Sequence, residues 1–156
     1  MALVESALLG PLAAGQPGAP PVLETARARA VLAEADPRRL LELFVDHVTE
    51  LQERVIPRYE AMKSAARSEP DVVALLVRTQ ESRLSNLRGV PARLAELGAL
   101  RSGLSADDAT RIVWVLASPE VRQMLETFAV WSAAQYRAWL VETYPPFCCD
   151  RRWIAV

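Results

Sequence analysis

The sequence predicts an all-α fold, a bundle of about six helices. Three observations carry that expectation. From Leu23 onward, apolar residues recur at steps of three and four, the period of a helix with one buried face. Helix-start signals recur between those runs, at Asp36-Pro37, Ser105-Ala106-Asp107-Asp108 and Ser118-Pro119. No segment sustains the apolar/polar alternation of a strand, and no Asn-Gly or Asp-Gly pair marks a hairpin.

The elements follow in order. Residues 1–9 read as a scrap of helix that Gly10 and Pro11 end. Residues 10–22 are rich in Pro and Gly, which suits a linker and not a helix or central strand. The helical domain is expected over residues 23–144, beginning with a short helix from Leu23 to Glu34. Asp36 as N-cap and Pro37 in the first helical position open the next helix, whose stripe is Leu41, Phe44, Val48, Leu51 and Val55. Pro57 removes a hydrogen bond from it and predicts a kink, with helix resuming to about Arg67. Ser68-Glu69-Pro70 restarts the chain as a helix from about Asp71 to Leu97, with Val73, Leu76, Gln80, Leu84, Leu87, Pro91 and Leu94 on one face and a second kink expected at Pro91. Gly98 is its expected C-cap, with Leu100 packing back. Ser105 caps a helix that faces Ala109, Ile112, Val113 and Leu116 one way. Ser118-Pro119-Glu120 interrupts and restarts it through Phe128. A last helix from about Ser132 to Tyr144 carries Tyr136, Trp139, Leu140 and Thr143 on one face, and Pro145-Pro146 should stop it. Residues 145–156 are expected to form an irregular tail.

Composition narrows the function classes. The 156 residues include 18 Lys and Arg against 19 Asp and Glu, a formal net charge of -1, so the chain has no surplus of cations with which to grip phosphates. Arg27, Arg29, Arg38 and Arg39 cluster loosely, but Glu24, Glu34, Asp36 and Glu42 interleave with them as on a solvated face. The longest apolar runs fall short of the roughly 18–20 residues of a membrane span. No basic residue precedes Arg27 to begin a signal peptide, so the expected compartment is the cytoplasm. Cys148 and Cys149 are adjacent and cannot staple distant segments.

No catalytic motif stands out, and no catalytic residue, cofactor or metal is expected. The single histidine, His47, lacks a second imidazole, and no glycine-rich phosphate loop is present. Polar residues inside apolar stripes are more informative, because burying them costs free energy unless they find partners. Gln80 lies between Leu76 and Leu84, Arg83 borders the same face, and His47 lies between Phe44 and Leu51. Tyr59 and Met62 follow Pro57 at helical spacing. Together they could line a cavity between two helices, apolar with a few orienting polar groups. The alternatives are structural: a hydrogen-bonded His47 at the core edge, a Gln80 satisfying a buried carbonyl, an Arg83 paired with Glu50, Glu53 or Glu60, and a gap-filling Met62. Trp114 stands off the stripe of its helix, and Trp131, Trp139 and Trp153 follow it, as in a core or an interface.

The run Trp114-Val115-Leu116-Ala117-Ser118-Pro119-Glu120, followed by Gln135-Tyr136-Arg137-Ala138-Trp139-Leu140, resembles the C-terminal half of TetR-family transcriptional regulators. Gln80-Glu81-Ser82-Arg83-Leu84 and Gly98-Ala99-Leu100-Arg101-Ser102-Gly103-Leu104-Ser105 occur in the order that family shows, and the resemblance spans about Ala2 to Tyr144. It implies a domain that binds a small-molecule effector and forms a homodimer through its last two helices. It implies an effector site near Phe44, His47, Tyr59, Met62, Gln80 and Arg83, and a dimer seam near Leu125, Phe128, Tyr136, Trp139 and Leu140. Residues 1–9 would be the remnant of the helix leading to a DNA-binding helix-turn-helix domain, which is not in this sequence, so DNA would be reached only through that domain or a full-length partner. The competing expectations are a truncated helical protein that pairs with an intact regulator and titrates it, and a small helical enzyme.

Overall fold

The computed structural model describes residues 26–149, with the side chains of residues 147 and 148 left aside. The expected helix scrap at 1–9, the 10–22 linker, the tail beyond Cys149 and Trp153 lie outside the described residues. Within them the protein is all-α, with seven helical segments and no strand: α1 (Ala26–Ala33), α2 (Pro37–Ala65), α3 (Pro70–Leu87), α4 (Gly89–Glu96), α5 (Ala106–Leu116), α6 (Pro119–Phe128) and α7 (Ala133–Cys148). No helix among the described residues is long and apolar enough to cross a membrane.

The caps explain the boundaries. Asp36 accepts from the Arg39 amide at 2.7 Å, with Pro37 opening α2. Ser105, Ser118 and Ser132 do the same for α5, α6 and α7, and Ser132 with Gln135 completes a capping box. Gly98 ends α4 at φ 63°, with its own amide bonded to Ala95 O and the Ala99 amide bonded to Leu94 O. That is the paired-bond stop for which a residue without Cβ is suited.

The 29-residue α2 is the centre of the molecule, and α1, α3, α4 and α7 all pack on it. Leu40, Leu41, Phe44 and Val45 of α2 meet Tyr136, Leu140 and Tyr144 of α7 and Val90 and Leu94 of α4 in one core. Each large apolar side chain so buried contributes on the order of 1.5–3 kcal/mol. A smaller second cluster joins Tyr59 and Met62 of α2 to Val72 and Leu75 of α3.

Three sequence expectations are corrected. The Asp71–Leu97 helix is two segments, broken at Arg88, and the buried residues of its first half are Val72 and Leu75. Val73 is 45% exposed. The doublets Val72-Val73 and Leu75-Leu76 offer two equally apolar phases, and packing against Tyr59 and Met62 selects the other one. Second, α2 is one unbroken helix from Pro37 to Ala65 with an exposed Pro57 inside it, so the helix does not stop and resume there. Third, α7 does not stop at Pro145-Pro146 but runs to Cys148. Proline keeps a helical φ but forfeits its own N–H bond and crowds the preceding turn, a cost that a helix anchored by Tyr136, Leu140 and Tyr144 in the core bears near its end.

Candidate small-molecule cavity

A cavity of about 340 Å3 lies against α2, walled by α1, α3, the start of α4 and the turn between α5 and α6. Its walls are mostly apolar: Val31, Phe44, Val48, Leu51, Val55 and Val90 supply much of them. Phe44, Leu51 and Val55 belong to the stripe read from the sequence, and turning that stripe toward α3 creates the space.

Five of the six residues named for the effector site line this cavity: Phe44, His47, Tyr59, Gln80 and Arg83. Met62 does not. It is fully buried among Tyr59, Val72 and Leu75, one turn beyond the cavity, where α3 closes on α2.

The polar lining forms a connected chain at one end. The Tyr59 hydroxyl donates to the Glu120 carboxylate, and Gln80 Nε2 donates to the Tyr59 oxygen. Arg83 Nη1 donates to Gln80 Oε1 at 3.2 Å, and Nη2 donates to the backbone carbonyl of Trp114. The Arg83 guanidinium also stacks 5.4 Å above the Trp114 ring. Burial, then the bond to Glu120, pushes the Tyr59 phenol far up, so it remains a donor. Burial lowers the Arg83 value from its ordinary one, with the charge of Glu120 opposing the shift.

The carboxylates expected to pair with Arg83 do not reach it. Glu50 pairs with Arg27, and Glu60 with Lys63. Glu53 lies 3.8 Å from Arg122, the buried arginine that does bridge helices. Arg122 also bonds Glu126 at 2.8 Å and the Thr49 carbonyl at 3.0 Å. Arg122 sits on α6 facing α2, while the apolar period of α6 (Val121, Met124, Leu125, Phe128) runs along another side of the helix and so does not announce that face.

Gln52 was not read from the sequence. It is 4% exposed, lines the cavity, and donates through Nε2 to Ala117 O at 2.7 Å. The spacing Val48, Gln52, Val55, Tyr59 is a helical stripe and would have singled it out. Tyr136 donates its hydroxyl to Leu116 O at 2.9 Å, and burial pushes its phenol up to about 12. The last carbonyls of α5 have no intrahelical partners. Arg83, Tyr136 and Gln52 satisfy those of Trp114, Leu116 and Ala117, so two residues of the cavity wall and one of the α7 core grip the α5–α6 junction.

His47 lines the cavity with a buried Nε2 that has no hydrogen-bond partner among the described residues. Burial lowers its value below 6.5, and Arg27 and Arg54 lower it further. The imidazole is therefore neutral at pH 7. Among the described residues, no group of three or more His, Cys, Asp or Glu could hold a metal ion.

The residues named for the seam divide. Phe128 is 82% exposed, and Leu125 and Trp139 are half-buried. Tyr136 and Leu140 are wholly buried in the chain's own core, where the ring of Tyr144 on the same face packs 5.9 Å from Phe44. They are unavailable to a second copy. Their stripe is the face that α7 turns toward α2 and α5, and the sequence pattern cannot tell that face from an interface. Met124 and Val130 are exposed beside Phe128 in sequence.

The fold and the site define an all-helical domain holding a largely apolar cavity of small-molecule size, with its polar groups gathered on named residues. Comparison with protein-family models, curated proteins and solved structures gives no match.

Proposed function

We propose that this chain is the effector-binding and dimerisation domain of a TetR-like transcriptional regulator. The observation that carries the reading is the cavity itself, lined by Phe44, His47, Tyr59, Gln80 and Arg83. The family resemblance of the sequence adds the regulatory role. DNA contact is assigned to a separate helix-turn-helix domain or a full-length partner, in keeping with a net charge of -1.

In the proposed mechanism the effector biases two arrangements of the α5–α6 junction. Arg83, Gln52 and Tyr59 face the cavity and also hold Trp114 O, Ala117 O and Glu120 of that junction. An effector that engages them changes how α6 is held. Driving the pair of states from 1:99 to 99:1 would take about 5.5 kcal/mol of differential affinity. The homodimer would use the outer side of α6 and α7, where Met124 and Phe128 are exposed and Leu125 and Trp139 half-buried.

Sedimentation velocity at micromolar concentration tests the dimer. The expected result is a dimer that Phe128→Asp converts to a folded monomer, because a charge would be buried in the seam. A wild-type monomer at that concentration would sink the dimer reading.

A further inference from the structure

Among the residues that line the cavity, two buried side-chain polar atoms have no hydrogen-bond partner among the described residues. Gln52 is committed in orientation, since its Nε2 donates to Ala117 O at 2.7 Å. Its Oε1 is buried and accepts nothing. His47 Nε2, also buried, is equally unpaired. His47 and Gln52 are five residues apart on α2 and flank the apolar strip of Phe44, Leu51 and Val55.

We propose that the cavity takes an uncharged, mainly apolar small molecule carrying a hydroxyl or N–H that donates to Gln52 Oε1, with His47 Nε2 offering a second hydrogen bond. The inference rests on the cavity being a ligand site, as proposed above. Oε1 can only accept, so the complementary group is a donor. The charges around the site argue for a neutral occupant. Arg83 opposes a cation, and one N–H of each terminal nitrogen is directed away to Gln80 and Trp114. Glu120 stands at the same end, bonded to Tyr59 and 3.3 Å from Gln80 Nε2, and opposes an anion. The apolar walls supply the rest of the affinity without direction.

A matched series of probes tests this on the wild-type protein: 4-phenylphenol, 4-methoxybiphenyl, biphenyl and biphenyl-4-carboxylate. Binding is read by tryptophan fluorescence and by the shift in Tm. The phenol should bind about tenfold more tightly than biphenyl or the methoxy compound, the worth of one neutral hydrogen bond. Gln52→Met should remove that preference: the change conserves volume and removes the acceptor together with the donor to Ala117 O, so the readout is the ratio of phenol to ether binding within the variant. If this variant does not fold, the wild-type ranking of phenol against its methyl ether decides. Equal binding of phenol and ether, or tighter binding of the carboxylate, overturns the donor-to-Gln52 proposal and leaves the cavity reading standing. Absence of binding by every member overturns both.

Discussion

Replacing Arg83 by Met separates two accounts of a buried arginine. If Arg83 closed a buried ion pair, its loss would strand a carboxylate and cost about 3–5 kcal/mol. The structure strands something cheaper. Arg83 has no carboxylate within salt-bridge distance among the described residues; its partners are the side-chain oxygen of Gln80 and the carbonyl of Trp114. Gln80 is half-buried and can turn to water. The Trp114 carbonyl, near the end of α5, is left with one unmet acceptor, worth about 1–3 kcal/mol. Met keeps much of the packing against the Trp114 ring, and burial of a cation is relieved at the same time. The net expectation is a loss of about 1–2 kcal/mol, toward the lower part of that range. Urea unfolding followed by circular dichroism measures it, because the substitution sits against a tryptophan and disturbs fluorescence directly. The slope with urea should not change. Glu120→Gln supplies the other side of a double-mutant cycle, and its coupling to Arg83→Met should stay below about 1 kcal/mol. A loss of 3 kcal/mol or more with strong coupling to Glu120, on the scale expected of a broken buried pair, would refute the reasoning.

Two further outcomes are expected beside the dimer and probe experiments. His47 has a folded value below the unfolded 6.5, so the unfolded chain binds its proton first. Its contribution is therefore present above about pH 6.5 and is lost as the pH falls toward the folded value. His47→Gln should flatten urea stability between pH 7 and 5.5, and identical slopes for the two proteins would show that His47 is not held neutral. Gly98→Ala places a Cβ at φ 63°, which costs about 1–2 kcal/mol and should lower Tm by about 2–8 °C; an unchanged Tm would mean that the α4 stop relaxes freely.

The fold was legible where the signal was local. Asp36-Pro37, Ser105, Ser118-Pro119 and Gly98 act within a turn of themselves, and the helix boundaries follow them. Val130 shows the reverse: a β-branched residue stands at φ 56° just past α6, where the Ala129 and Trp131 amides both bond back to Leu125 O, and nothing in its residue type announces that conformation. The cavity was legible in part because α2 and α3 each show which side chains share a face, and Tyr59, Gln80 and Arg83 meet across that gap. What no helical period contains is the neighbour of each face. Tyr136, Trp139 and Leu140 form a stripe that would suit a partner chain as well as a core, and only their burial in the fold shows that the chain covers Tyr136 and Leu140 itself. The same limit hid the partners of Gln52 and Arg122. A buried amide or guanidinium is tolerable only where carbonyls wait for it, and here those carbonyls are Ala117 O, 65 residues from Gln52, and Thr49 O, 73 residues from Arg122. Both bonds join α2 to the α5–α6 region, the place where the proposed effector signal must pass. The contacts that no helical period announces are thus the ones through which cavity and outer face would communicate.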